Sequence, residues 1–400
     1  MKHSNRILGG ILLVSGTTIG AAMLALPIVT GMAGFIPSLV LLVAYWLYML
    51  FTGLLMLEVN LWMNEHTNLI TMARKTLGRK GAIVSWVIYL FLLYTLTIAY
   101  IAGSGPIFLD LIQMSTSWAL PPWVGALPLL FIFGFFVYRG TRFVDYVNRL
   151  LMCGLALTYI SIVFFLAPHI QLQLLKHQSW SSLGLAVSIV STSFGYHIII
   201  PTLTDYLKRD SSKLRLVIII GSAIPLCIYI LWELLTLGII PLEGPQGLLA
   251  GYQQGLDSAS VLSDHLGHSH LSLITRLFSL FAIITSFLGV SLSLSDFLAD
   301  GLNIRKTSQG KVVLYALTFI PPLFFTFLDP HAFLHALEYA GAFGVVTLLG
   351  LLPVLMVWRG RYYQQRESQF QAPGGKWALA LAFLISLAVI SLEIFNKITQ

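Results

Sequence analysis

"VSGTTIGAAMLALP", residues 14–27, interrupts what otherwise reads as one long apolar helix. Ser15, Gly16, Thr17, Thr18 and Gly20 crowd small and hydroxyl-bearing side chains into about a turn and a half near its middle. Whether such an interruption is a defect or a device depends on what surrounds it.

The surroundings are a membrane. Hydrophobic residues make up 57% of the 400 and charged residues only 10%. A soluble fold of this size could not hide so much apolar surface behind so few charges. Apolar runs of about 17 to 25 residues, each able to cross roughly 30 Å of hydrocarbon, recur along the chain. We count eleven: 7–30, 34–57, 82–103, 121–138, 149–167, 183–204, 215–240, 271–295, 312–328, 335–357 and 377–395. They are continuous rather than alternating, which predicts an all-α integral membrane protein and not a barrel.

The formal net charge of +7 would suit nucleic acid, but its placement points to a bilayer instead. With the N-terminus inside, 20 of the 23 lysines and arginines fall on inner segments, and only Lys176, Arg276 and Lys397 fall outside. Positive charge gathers on the cytoplasmic side of membrane proteins, so the bias supports eleven spans, a cytoplasmic N-terminus and an external C-terminus. A missed span would scramble the alternation. Cys153 and Cys227 both lie in apolar runs, so neither a disulfide framework nor a zinc spacing is present. The apolar lead is too long for a signal peptide and reads as a retained first span.

No soluble domain is apparent: residues 1–400 read as one membrane domain. The inner segment 58–78 has apolar residues at helical spacing followed by basic ones, as expected of an amphipathic helix lying along the membrane surface. The Gly-rich outer segment 241–270 reads as an external loop able to fold over a cavity mouth, and 359–376 reads as a solvated inner linker.

The interruption has a counterpart. Span six, "VSIVSTSFGYHIIIPTLTDYL" (187–207), breaks at 191–197 and carries Pro201 in its second half. The two breaks lie five spans apart, an odd number, so residues 7–167 and 183–357 form two inverted units and 377–395 stands outside them. Interrupted segments at matching positions of inverted halves point to the mid-membrane site of a transporter. Open peptide groups in hydrocarbon cost several kcal/mol each unless they line a wet cavity or hold a ligand. The N–H groups of 20–23 would face a carboxylate, and carbonyls around 15–17 and 193–195 an ammonium group. Opposed preferences so close together suit the zwitterionic end of an amino acid. Gly16 and Gly20 also form a G-x-x-x-G, which helix packing alone explains.

Ionisable residues inside spans are functional candidates. Glu233, in "IYILWELLTLG", is the most deeply placed carboxylate and a candidate proton carrier; His197, beside the second break, is a candidate for substrate or proton. Each is also compatible with a packing role. Asp205, Asp296, Asp300, Glu58 and Glu338 lie at span ends, where solvated roles are ordinary. Thr285, Ser286, Ser291, Ser293 and Ser295 make a small polar face suited to a cation or to hydrogen bonds between helices. Asp264, His265, His268 and His270 offer loose metal-ligand chemistry that a solvated loop equally explains. No P-loop, H-E-x-x-H or G-x-S-x-G is present. An intramembrane enzyme using His197 and Asp205 is the rival class, but eight residues put them roughly 12 Å apart along a continuous helix.

"GGILLVSGTTIGAAMLALP" (9–27), "TSFGYHIIIPTLTDYL" (192–207) and "TSFLGVSLSLSDFLADGL" (285–302) resemble the signature segments of the bacterial hydroxy and aromatic amino acid permeases, nearest to their tyrosine- and tryptophan-specific members. The resemblance spans nearly the whole chain. It implies a LeuT-like core of the amino acid–polyamine–organocation superfamily, with helices 1 and 6 unwound in a five-plus-five inverted repeat plus one extra helix. It implies an inner-membrane, proton-coupled importer of an aromatic amino acid, tyrosine foremost, with tryptophan or serine and threonine as alternatives and sodium coupling still open. No cofactor and no nucleic-acid partner is implied, and the oligomeric state is open. The first substrate-binding break would be Thr17, Thr18, Gly20 and Ala21; the second would be Ser193, Phe194, Gly195, Tyr196 and His197. Ile198, Ile199 and Ile200 follow this histidine, where the family often has a small residue. From the residues themselves, Phe194, Tyr196, Tyr89, Tyr94 and Tyr100 are candidates for stacking on a substrate ring.

Overall fold

A backbone that cannot hydrogen-bond to lipid must close on itself, and the chain does so almost entirely as helices. The computed structural model describes residues 2–63, 67–116, 120–267, 270–367 and 369–399, and no strand occurs among them. The first crossing is a pair, α1 (Lys2–Thr18) and α2 (Ala22–Thr30), bent by 55°. Then come α3 (Phe35–Leu61) and α4 (Leu69–Thr116). The latter is two helices joined at Gly78, whose φ of 81° favours glycine; the expected helical segment 58–78 is thus divided between the end of α3 and the short helix that begins at Leu69. Residues 64–66 of the inner segment lie outside the described ones.

Short 3₁₀ and wide turns running into α5 (Gly134–Arg139) make the fourth crossing, and α6 (Thr141–Leu166) the fifth. The sixth is again a pair, α7 (Val187–Ser193) and α8 (Ile200–Tyr206). There follow α9 (Ser211–Ile239), the short loop helices α10 (Leu248–Gln253) and α11 (Ser258–Leu266), α12 (His270–Gly301) and α13 (Ser308–Leu328). The tenth crossing joins α14 (Ala332–Tyr339) to α15 (Leu352–Tyr362) through wide turns, and α16 (Gly375–Thr399) is last. Among the described residues ten helices are long and apolar enough to span, and the bent first pair makes eleven, matching the expected runs.

The basic segments meet at one end of the bundle. There Arg209 Nη2 lies 3.3, 2.9 and 2.8 Å from the carbonyls of Asn60, Leu61 and Met63 where α3 ends, its two hydrogens shared among the three. Lys208 and Arg209 adopt left-handed φ of 54° and 58°, a rare conformation for side-chain-bearing residues, in the turn that delivers the guanidinium. The 359–376 tail is the solvated linker expected only in part, its exposed residues alternating with buried ones. Arg361 forks onto Glu58, whose carboxylate also accepts from the N–H of Ala372 at 2.8 Å, and Phe370 and Ala372 are buried. Glu58 is therefore a buried ion-pair partner and not a solvated span end. A carboxylate taken out of water needs such partners, and the tail folds inward to supply them.

At the far end the outer loop lies down on the bundle. Ser258 donates to the Leu24 carbonyl of α2 at 2.6 Å and accepts from Trp232 Nε1 at 3.2 Å. Asp257 caps α11 and accepts from Ser279 of α12 at 3.1 Å. Arg276 gathers Asp110 at 2.8 Å, Asp264 at 3.2 Å and Ser263 at 2.7 Å. Lys397 reaches Glu338 at 2.9 Å, so α16 ends at this far end and Glu338 too is paired.

Candidate functional site

The first break comes later than the sequence indicates. Ser15, Thr17 and Thr18 turn their hydroxyls back onto the carbonyls of Ile11 (2.9 Å), Leu13 (2.7 Å) and Val14 (2.8 Å). The backbone ladder nevertheless runs on to the Ile19 N–H on the Ser15 carbonyl at 2.9 Å. Helix is lost only at 19–21; the Ser15 carbonyl is taken by Ile19, while those of Gly16 and Thr17 receive no backbone N–H from the opened turn, since the Ala21 N–H goes to Ser286. Gly16 is helical, and a Cβ there would meet nothing within 4 Å.

Gly20 has no such room. A Cβ would lie 2.9 Å from Ser286 Oγ, the atom that accepts from the Ala21 N–H at 2.9 Å. The next half-helix opens with tight bonds, Met23 N–H to Gly20 at 3.1 Å and Leu24 N–H to Ala21 at 3.0 Å. The N–H groups of Gly20 and Ala22 meet no acceptor among the described residues. Two free donors at the positive end of a nine-residue helix make a seat for an anion.

In span six α7 ends at Ser193, with long bonds of 3.4 Å from Phe194 and Gly195 N–H as the ladder gives out. Pro201 stands in the first turn of α8, where its missing N–H costs nothing. The Ser193 hydroxyl, like those of span one, is spent on its own helix, 3.1 Å from the Ile189 carbonyl.

One buried side chain joins the two breaks. Tyr229 of α9 places its hydroxyl 2.7 Å from the Thr18 carbonyl and 2.9 Å from the Ser193 carbonyl. A phenol has one proton, so it cannot satisfy both acceptors fully. Phe194 packs edge-on against its ring at 5.3 Å, and Tyr100 of α4 lies beside both Ser286 and Tyr229. Sequence reasoning did not single out Tyr229, and it placed Ser286 only within a small polar face. A tyrosine in an apolar span carries no signal until the fold brings two open carbonyls to it.

The rest of the second break faces α3. Tyr196 donates to the Met49 carbonyl at 3.2 Å, its hydroxyl fitting where Gly53 has no side chain. His197 Nε2 lies 2.9 Å from Thr52 Oγ1, and its buried Nδ1 has no partner among the described residues. Together with Ile198, Pro201, Met56, Tyr89 and Phe297 it lines a cavity of about 190 Å³ that extends to residues 67–72 at the basic end. Gly195 is half-buried, and a Cβ there would make ordinary contacts with Leu349 and Val345.

Tyr89 meets Phe297 edge-on at 5.0 Å at this cavity, whereas Tyr94 is spent on the Leu317 carbonyl at 2.9 Å. Asp205 sits near the end of α8, separate from His197, so those two form no catalytic pair. Asp296 pairs with Lys306 at 2.7 Å, and Asp300 is exposed. His268 lies outside the described residues; among these, no group of three or more His, Cys, Asp or Glu could hold a metal.

Glu233 stands one turn beyond Tyr229 on the same face of α9 and is 1% exposed. Thr30 Oγ1 of α2 lies 2.8 and 2.9 Å from its two oxygens and 2.7 Å from the Leu26 carbonyl. One hydroxyl proton faces three acceptors. A hydrogen on Glu233 would supply the second donor, with the carboxyl donating to Thr30 and Thr30 to Leu26.

Over residues 3–393 the chain matches the tryptophan/tyrosine permease family. It is 34% identical to tyrosine-specific transport system 1 of Haemophilus influenzae over 97% of this chain and 96% of that one. Against the tryptophan-specific transport protein of Pseudomonas aeruginosa it is 32% identical over 96% and 93%. Among solved structures it aligns with a manganese transporter of Eremococcus coleocola, crystallised with an aromatic bis-isothiourea substituted compound. That TM-score is 0.61 at 13% identity, covering 98% of this chain and 85% of that chain.

Proposed function

We infer the function from one premise: this chain belongs to the tryptophan/tyrosine permease family. It is a multi-pass membrane transport protein and not an enzyme. We propose that it imports an aromatic amino acid, tyrosine foremost, across the bacterial inner membrane by proton symport with alternating access. The basic end would be cytoplasmic, and residues 7–167 and 183–357 would be the two inverted halves.

The observation that carries this reading is the pairing of opposite polarities at the two breaks. The free N–H groups of Gly20 and Ala22 suit a carboxylate. The Thr18 and Ser193 carbonyls, short of one donor under Tyr229, suit an ammonium group. With the basic end inside, the His197 cavity opens inward while Arg276 and Ser258 hold the outer mouth closed. Purified full-length protein in liposomes should accumulate labelled tyrosine, chemically unchanged, when the lumen is alkaline. Competition by unlabelled tyrosine, tryptophan and serine, with and without sodium, ranks the substrates and identifies the coupling ion. Recovery of an altered product, or no accumulation of any amino acid, overturns the reading.

Glu233 is proposed as the proton carrier, because its partner Thr30 lacks one hydrogen for the oxygens around it. Its i, i+4 relation to Tyr229 sets proton and substrate groups on one helix face. Glu233→Gln supplies a permanent donor and cannot ionise. Wild-type uptake should rise as the outside is made more acidic than the lumen; the variant should exchange tyrosine but show no response to that gradient. An unchanged gradient response removes Glu233 from the role.

A further inference from the structure

The short helix that begins at Leu69 has its last carbonyls capped from a distant part of the chain. Gln364 Nε2 lies 3.0 Å from the Thr76 carbonyl and 3.4 Å from that of Lys75, which Arg366 Nη2 also approaches at 3.1 Å. Arg359 Nη1 donates to the Leu77 carbonyl at 3.2 Å. Cationic and amide donors suit the open, negative end of a helix. The end of span ten is thereby fastened to the corner that leads into span three.

Between them lies a cavity of about 560 Å³, lined by Leu77, Leu355, Arg359, Tyr363 and Gln364. Leu355, Arg359 and Tyr363 follow at intervals of four along α15 and its capping residue, so they share a face, and all three are exposed. Because α15 runs toward the basic end, the apolar side chain lies deepest, the guanidinium next and the phenol outermost. The cations around this groove lack anions. Arg359 spends one N–H on Leu77, and its others meet no acceptor among the described residues. Arg74, Lys75, Arg79 and Lys80, on either side of Leu77 in the chain, are exposed and have no acidic partner among the described residues. Glu58, the carboxylate that α3 brings to this end, is already held by Arg361.

We propose that this groove holds a phospholipid with an anionic headgroup, its phosphate on Arg359 and an acyl chain along Leu355 and Leu77. Basic pockets between membrane helices at headgroup depth take such lipids, and a guanidinium offers paired donors to phosphate oxygens. The same short helix borders the His197 cavity with Leu69, Ile70 and Met72. A lipid at its last turn therefore bears on a wall of that cavity.

The test is native mass spectrometry of the full-length protein in neutral detergent, with phosphatidylglycerol and phosphatidylcholine of identical acyl chains added in equal amounts. The first lipid retained by the wild type should be phosphatidylglycerol over phosphatidylcholine by about tenfold or more. Arg359→Gln keeps a donor for Leu77 without the charge, and the preference should fall to about threefold or less. Leu355→Trp fills the groove, leaves every cation in place and should lower the preference as far. Arg142→Gln removes a cation exposed on α6 and should change nothing. Equal retention of the two lipids by the wild type overturns the proposal, as does a folded Arg359→Gln or Leu355→Trp protein that keeps the wild-type preference. Both positions are exposed; should one variant fail to fold, the other decides. A loss with Arg142→Gln as large as with Arg359→Gln overturns it in favour of diffuse attraction to a basic surface. Displacement of phosphatidylglycerol by equimolar glycerol phosphate overturns it in favour of a free phosphate ligand.

Discussion

Gly20→Leu should lower tyrosine uptake about a hundredfold while the protein still inserts in the membrane, and Gly16→Ala should leave uptake close to wild type. The contrast comes from space. A Cβ at position 20 stands 2.9 Å from Ser286 Oγ, the acceptor that fixes the Ala21 N–H, whereas one at position 16 meets nothing within 4 Å. A longer side chain at 20 must displace Ser286 or the opened backbone, and with it the two free N–H groups. If these glycines served only as a helix-packing motif, both substitutions would hurt, since both would thicken the same face. Uptake is measured in proteoliposomes and insertion by membrane fractionation. Equal sensitivity at the two positions would return the segment to a packing role and remove the proposed carboxylate seat.

Arg361→Met is expected to cost about 3–5 kcal/mol of stability, the largest loss we anticipate from any single side chain at the basic end. Arg361 and Glu58 are 5% and 2% exposed, and only the Ala372 N–H would remain to hold the orphaned carboxylate. The tail that carries Phe370 and Ala372 against the bundle should loosen as well. Thermal unfolding in detergent reads the first effect, and proteolysis between residues 361 and 376 the second. Pairing the change with Glu58→Leu should recover most of the stability, because a buried ion pair replaced whole costs far less than one cut in half. A single variant as stable as the wild type would mean that the carboxylate is reached by water.

These two sites differ in how far the sequence discloses them. The eleven crossings are legible because a bilayer demands long unbroken apolar runs, and the basic residues between them alternate as those crossings require. The two interruptions are legible as well, since glycine, serine and proline are conspicuous in such company. Their registers are not. Hydroxyls at Ser15, Thr17 and Thr18 look like helix weakeners in one dimension, yet the helix runs through all three, each hydroxyl reaching an i−4 carbonyl and Ser15 also the Gly221 carbonyl, and the first break falls at 19–21. Tyr229 is an ordinary residue of an apolar span until α1 and α7 cross it. Glu58 and Arg361 lie 303 positions apart, so nothing local could mark them as a pair.

Arg209 has a mechanical consequence. One guanidinium grips three carbonyls at the end of α3 from the turn that closes α8, while Thr52 and Gly53, two turns back, seat the ring and hydroxyl of His197 and Tyr196. The lower part of the second broken helix is thereby pinned to its neighbour at top and bottom. A swing of α8 alone would break these hydrogen bonds, which couples its position to that of α3.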